Sequence, residues 1–495
     1  MATTVAEPQE RLVEVKEAAR KTELEPTPIA EQKTFRDYDP DQALLMAPVL
    51  QEWVPEGDLA HFVSDLVETS LDLSEIYASY ESERGYPPYD PRLMLKLLIY
   101  GYATGTVSSR KLEQATHRDV AVRMLCADQH PDYRSIARFR ARHLEALAEL
   151  FVQALRLCKK AGLVKMGTLA IDGTKLRANA SRHKAMSYER MGKAEAELEA
   201  EIAAIRAQAE AMLADAEAVD REEDERYGPE RRGDELPDEL ARRESRLARI
   251  REAKAALEAE EQERERARQA ELREEGRKPR KPDPDDEPPT PKPAAQRNFT
   301  DPDSKIMKAA DGSFHQCFNA QAVVDSESQV IVACDASDEA PDTRQLEPAL
   351  EQLDANLAAI EATLPEGAAL LGDAGYFSED NVATATEHGL DPHLATGRFK
   401  HSEPQPPAPR GPIPKGATAK QRMARKLRTK RGRTAYAKRK KIVEPVFGQM
   451  QTTQGARQLL LRGKPAARAQ WRFNCAVHNL LKLHRAGGLG LAGAT

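Results

Sequence analysis

Residues 166–176, Met-Gly-Thr-Leu-Ala-Ile-Asp-Gly-Thr-Lys-Leu, decide how the chain is read. Before them, from about residue 41 to 162, apolar residues recur at helical spacing. Here a short apolar run ends at Asp172 and meets Gly173 and Thr174, which reads as a strand closed by a polar turn. The change of period marks the passage from an all-helical region into an α/β region.

Downstream, strand signals return after a long interruption. Residues 318–325 and 329–335 flank Ser-Glu-Ser and read as a hairpin. A helix starting near Asp342 carries Leu346, Leu350 and Leu353. A buried strand over 368–373, a helix over about 378–387 and a strand near 392–396 follow. The order of strand, insertion, hairpin, helix, strand, helix and strand predicts a mixed α/β core. The interruption, 184–275, is rich in Ala, Glu and Arg. Leu198, Ile202, Ile205, Ala209, Met212, Ala216 and Val219 recur in steps of four and three, a coiled-coil seam. A break over 227–237 and a weaker seam at Leu240, Leu247, Ile250 and Leu257 suggest either an antiparallel helical hairpin or one arm that dimerises. Lys254 sits where an unbroken seam would be apolar. Residues 276–297, Pro-rich and charged, predict an extended linker.

Upstream, Asp90-Pro91 opens a helix carrying Leu93, Leu97 and Leu98, with Asp as the cap and Pro in the first turn. Ser108 or Ser109 is positioned to cap a second helix and Asp132 a third. The third helix carries Arg134, Arg138, Arg140 and Arg142 with Tyr133 and Phe139. It is a candidate DNA reader, a plain bundle helix being the alternative. The organisation expected is a disordered arm (1–35), a helical domain (36–163), the first part of the core (164–183), the helical insertion (184–275), the linker (276–297), the remaining core (298–485) and a tail (486–495).

The 495 residues are 40% hydrophobic and 31% charged, so a charge-rich segment dilutes an ordinary core. No run of about 18 apolar residues suggests a membrane span, and the first residues lack a signal-peptide core. Five scattered cysteines predict buried thiols rather than disulfides or a zinc ribbon, and the cytoplasm as compartment. The net charge of −6 hides an uneven distribution. Acidic residues crowd into about 189–290, whereas 400–441 holds fifteen Lys and Arg against Glu403 alone. Such a block attracts a polyanion. Its Arg425, Lys426, Arg428, Lys430, Arg431 and Arg433 are candidate phosphate contacts, a solvated helix being the alternative.

Three carboxylates stand out. Asp172 and Asp373 each end a strand run, where ligands bind in α/β sheets, although either could simply cap a turn. Glu444 lies among cations, flanked by Ile442, Val443, Val446 and Phe447, with an ion pair to Lys440 or Lys441 as the simpler account. Pro445 is expected to bend its helix or open the C-terminal part.

These residues carry a family resemblance. Asp172 in A-I-D-G-T-K, Asp373 in G-D-A-G-Y-F-S, and Glu444 in Y-x-x-R-x-x-x-x-E-P-V-F-G resemble the DDE triad of bacterial insertion-sequence transposases. Residues 89–97, 301–308 and 318–325 are similar to the same group, and the likeness spans most of 36–485 outside the charged insertion. The resemblance implies a ribonuclease-H-like catalytic core preceded by a helical domain that binds DNA ends. It also implies two Mg²⁺ or Mn²⁺ ions, with Asp172 bridging both and Asp373 and Glu444 holding one each. The implied reaction is strand cleavage and strand transfer on double-stranded DNA, between the element's terminal inverted repeats and a target. A homodimer on DNA, in the bacterial cytoplasm at the nucleoid, is implied with it. Tyr436 and Arg439 would contact the terminal phosphate. The chain departs from the pattern in two places: one extra residue separates Arg439 from Glu444, and Met450 and Gln451 stand where relatives often carry Lys. A DNA-binding descendant without activity, or a metal-dependent nuclease without strand transfer, are the other readings.

Overall fold

The computed structural model describes residues 49–80, 88–181, 184–227, 238–274, 276–279, 281–309, 312–397 and 407–488, with the backbone alone over 208–227 and 238–242. The arm expected over 1–35, most of the tail and most of the break after Tyr227 lie outside them.

Among the described residues eight helices come first: α1 Leu50–Trp53, α2 Leu59–Thr69, α3 Ser74–Ala78, α4 Pro91–Thr104, α5 Ser109–Arg118, α6 Val120–Leu125, α7 Tyr133–Arg142 and α8 Leu144–Lys160. Their starts follow the expected chemistry. Asp90 accepts from the Arg92 N–H at 2.8 Å with Pro91 in the first turn, and Asp132 accepts from the N–H groups of Arg134 and Ser135. Ser108 holds the cap position of α5, but its side chain makes no capping bond. Leu93, Leu97 and Leu98 are buried, as their spacing requires. Basic α7 is only partly free. Arg140 is buried and donates to the Val107 carbonyl at 2.9 Å, Phe139 lies in the core, and Arg142 is tied to the Ser79 carbonyl. Arg134 and Arg138 stay exposed.

Six strands form one mixed sheet: β1 Thr168–Arg177, β4 Lys305–Lys308, β5 Phe314–Asp325, β6 Ile331–Ser337, β7 Ala368–Gly372 and β8 Leu390–Leu394. Between β1 and β4 lie β2 Ala185–Ser187, α9 Tyr188–Tyr227, α10 Asp238–Glu274 and β3 Gln296–Asn298. The lateral order is β4-β5-β1-β7-β8, with β6 also on β5. β1 pairs antiparallel with β5 over nine residues and parallel with β7 over three, and β8 is parallel to β7. The first strand therefore runs five residues past Asp172, where the sequence suggests an end. Gly173, Thr174 and Lys175 look like a turn because they face polar partners rather than the core. β4 and the small β2–β3 pair leave no clear signal in the sequence.

Helices α11 Leu346–Ala359 and α12 Glu379–Glu387 follow β6 and β7 in the expected order, with a short 3₁₀ turn at Asp342–Gln345 ahead of α11. Then come α13 Ala419–Arg428, α14 Lys430–Ala437, α15 Arg439–Thr452 and α16 Lys464–Arg485. α16 packs along α8, so the helical region and the sheet share one hydrophobic cluster. All five cysteines are free and buried. No helix of the described residues is long and apolar enough to cross a membrane.

The insertion is an antiparallel hairpin. Met191, Leu198, Ile202, Leu247, Ile250, Ala253 and Leu257 form a separate cluster between its arms. The ion pairs Arg206–Glu244, Arg243–Glu201 and Lys254–Glu195 set the register. Lys254 thus lies beside the seam and Ala253 in it. The seam's outer positions, Ala209 to Val219, fall outside the described side chains. The Pro-rich stretch is docked and turns at 284–286: the carbonyls of Pro282 and Pro284 accept from Gln269 and Gln262 of α10, and Asp283 pairs with Arg273.

Candidate catalytic site

The strand register builds the centre of the site. Ala170 lies opposite Leu371 in the parallel β1–β7 pair. Two residues further along each strand, Asp172 and Asp373 emerge side by side. Asp172 is still held by β5, opposite Ala322, whereas Asp373 has just left β7. Both carboxylates are half-buried. Each is steadied locally: Asp172 Oδ1 accepts from the Gly173 N–H at 2.9 Å, and Asp373 Oδ1 from the Gly375 N–H at 2.7 Å.

Two glycines permit this crowding. A Cβ on Gly173 would lie 2.3 Å from the Gln321 amide. One on Gly375 would lie 3.0 Å from Asp373 Oδ1 and 3.3 Å from Asp342 Oδ2. Asp342 is thus a neighbour of Asp373. Its Oδ1 accepts from Lys175 at 3.1 Å, Asn319 at 2.9 Å and Gln321 at 3.1 Å. Beneath them the fully buried Tyr376 hydroxyl donates to Gln321 Oε1. Burial pushes its pKa well above the usual value, and the charges of Asp342, Asp172 and Asp373 add to the effect. Sequence reasoning missed the roles of Asp342, Asn319, Gln321 and Lys175, because only the β1–β5 register brings them together.

Arg439 closes the site from α15. Its Nη1 donates to Asp172 Oδ2 at 2.9 Å, and the two side chains are 12% and 23% exposed. Burial raises the Asp172 pKa; the Arg439 charge and the Gly173 N–H oppose this, and Asp373 adds to it. Tyr436, on α14, is close enough that the charges of Arg439, Asp373 and Asp172 all act on it, while burial raises its own pKa. Twelve residues along α15 from Arg439, Gln451 Nε2 donates to Thr174 Oγ1 at 2.8 Å. Met450 is buried, so neither position supplies a cation.

Glu444 stands apart. It lies five residues from Arg439, roughly 140° round the helix. It is exposed and has no hydrogen bond or ion pair among the described residues, so the simpler account, a pair with Lys440 or Lys441, is not what the structure shows. Among the described residues no three His, Cys, Asp or Glu side chains are grouped to hold a metal ion. Asp172 and Asp373 converge; Glu444 does not join them in this geometry. Pro445 does not open the helix, which runs unbroken from Arg439 to Thr452. Proline removes the N–H that the Lys441 carbonyl would have accepted four residues back. Gln329 Nε2 donates to that carbonyl at 3.0 Å instead.

The basic run divides into anchors and free cations. Lys426 pairs with Asp391 and donates to the Pro392 carbonyl at 2.7 Å, fixing α13 to β8. Arg425 donates to the carbonyls of Arg410 and Gly411, and Arg428 Nε to the Ala424 carbonyl at 3.2 Å. Arg433 is half-buried. Lys430 and Arg431 are exposed.

Comparison with known proteins gives two matches. A family model described as "Transposase domain (DUF772)" matches residues 48–142. One described as "Transposase DDE domain" matches 289–480. The second includes Asp373, Arg439 and Glu444 and begins downstream of Asp172. No curated protein and no solved structure matches.

Proposed function

We propose, from the premise that this chain belongs to the DDE transposases, that it binds the ends of its own element and cuts and rejoins DNA there. The observation that carries the reading is the pairing of Asp172 and Asp373 just past the end of the parallel β1–β7 ladder. A ribonuclease-H-like core is supported by the sheet: its first strand is antiparallel to β5 and parallel to β7.

The donor set suits Mg²⁺ or Mn²⁺. Asp172 and Asp373 offer hard carboxylate oxygens, and a cationic side chain is already drawn to one of them. Asp172, Asp373 and Glu444 would hold two such ions, which when bound activate the attacking oxygen and stabilise the leaving one. The chain's own residues do the remaining work. DNA binding turns α15, already packed on the sheet, so that Glu444 joins the set. Tyr436 and Arg439 hold the terminal phosphate. Lys430 and Arg431 neutralise the DNA backbone, with Arg425, Lys426, Arg428 and Arg433 shaping the surface behind them. Arg134 and Arg138 on α7 face the element's end. The 3′-hydroxyl freed by cleavage then attacks target DNA in the same site, and a homodimer in the cytoplasm holds the two ends.

Glu444, exposed and without a partner among the described residues, favours one competing reading, a DNA-binding protein that does not cut. An assay on DNA carrying the element's inverted repeats, with Mg²⁺ or Mn²⁺, separates the two. The transposase reading expects cleaved and joined products that disappear in Asp172→Asn while end binding survives. A folded wild type that binds the ends and leaves them intact would support the non-cutting reading.

A further inference from the structure

We propose that Arg439 is a built-in competitor for metal at Asp172. Its guanidinium covers the carboxylate until a divalent cation displaces it, and the displaced side chain then serves the DNA phosphate. The inference rests on the reading of Asp172 and Asp373 as the metal-holding pair.

The geometry leaves a metal little choice. Asp172 Oδ1 is taken by the Gly173 N–H, and Oδ2, the oxygen facing α15, is covered by Arg439 Nη1 at 2.9 Å. A cation and a guanidinium cannot share that oxygen without strong repulsion at short range. Asp172 is also the one carboxylate that Arg439 hydrogen-bonds among the described residues. Removing a partner from a buried ion pair leaves the other charge uncompensated.

The surroundings make the Arg439 position conditional. It is the first residue of α15, where the helix dipole disfavours a cation, and Lys438, Lys440 and Lys441 surround it in sequence. Asp172 neutralises this positive corner while no metal is bound. Once a metal claims Asp172, the corner is left with cations and a helix N-terminus, both of which favour an anion. Phosphate is the anion the reaction presents. Metal and DNA binding are therefore coupled favourably through Arg439, and the coupling is reciprocal. It also keeps the carboxylate covered in the absence of both.

The test is calorimetric titration of Mn²⁺ into the DNA-free full-length protein, comparing wild type, Arg439→Gln, Arg439→Lys and Asp172→Asn. If the uncovered form is on the order of a tenth of the wild type, Arg439→Gln binds Mn²⁺ about tenfold more tightly, with Arg439→Lys in between. Equal or weaker binding by Arg439→Gln, with Asp172-dependent binding in wild type, overturns the inference and leaves the metal reading standing. No Asp172-dependent binding in any variant overturns both. A second measurement needs no variant at Arg439. Mg²⁺ added to wild type without DNA should increase amide hydrogen exchange across the first turn of α15, and unchanged exchange there overturns the proposal.

Discussion

Asp172 and Asp373 stand on adjacent strands, whereas Glu444 stands on the outer flank of α15 with its carboxylate exposed. The first two are placed by main-chain hydrogen bonds. β1 is fixed by β5 on one edge and β7 on the other, so Asp172 cannot move without breaking a ladder. α15 is attached differently. Side chains hold it, through Val443, Val446 and Met450 in the core and through the bonds of Arg439 and Gln451 to β1. A helix held by side chains adjusts by small shifts more readily than a strand within a sheet. The sheet half of the site is therefore formed in advance, and the helix half is the part that substrate completes.

The largest effects should come from the sheet half. Asp172→Asn or Asp373→Asn is expected to lower cleavage on the order of 10³-fold or more, since each removes a member of one catalytic unit. End binding, measured by fluorescence anisotropy, should remain. Glu444→Gln should lower cleavage by a similar order while leaving stability within about 0.5 kcal/mol, because its carboxylate has no partner to lose among the described residues. Equal destabilisation by Glu444→Gln and Asp373→Asn in denaturant melts would remove the contrast between the halves.

The basic run offers a smaller test of the same kind. Lys430→Ala and Arg431→Ala should each reduce the slope of log affinity against log salt by about 0.9, because one fewer phosphate is neutralised. Lys426→Ala should leave the slope unchanged and cost about 1 kcal/mol of stability, since Lys426 is committed to Asp391. A slope that falls for Lys426→Ala would make it a phosphate ligand instead of an anchor.

A pH effect follows from the direction of the Asp172 shift. Burial raises its pKa above 3.8, so the folded chain holds this proton more tightly than the unfolded chain. Its contribution favours folding most below the unfolded value and is lost as pH rises through the raised folded value. Metal-free Asp172→Asn should therefore show a flatter loss of stability than wild type as pH rises from about 4, followed by urea melts. The smallest effect is expected from the hairpin. Joining 207 to 243 by a short turn should leave the thermal midpoint unchanged, because the seam from Met191 to Leu257 lies below the cut.

Much of the α/β order is readable in the sequence, because strands such as 368–372 are short apolar runs bounded by turn residues. The C-terminal half of β1 is not, because Gly173, Thr174 and Lys175 are selected for Gln321, Gln451 and Asp342 rather than for a core. Asp172 and Asp373 stand out by position, and Arg439 by motif. Asp342 does not, since its neighbourhood exists only once β5 is in register. A run of cations likewise says nothing about which ones turn inward. Arg140 and Lys426 do so because a carbonyl or a carboxylate waits for them. The effect of Pro445 is hidden for a related reason: the side chain that satisfies the Lys441 carbonyl lies 112 residues away in sequence, at Gln329.

The most direct test of a preformed pair completed on DNA replaces Mg²⁺ with Fe²⁺ and lets locally generated hydroxyl radicals cut the protein backbone. Without DNA, scission should fall beside Asp172 and Asp373 and spare the segment around Glu444. With the element's end bound, a third cut should appear beside Glu444. Cuts elsewhere, or a Glu444 segment that stays intact in the DNA complex, would contradict the assignment.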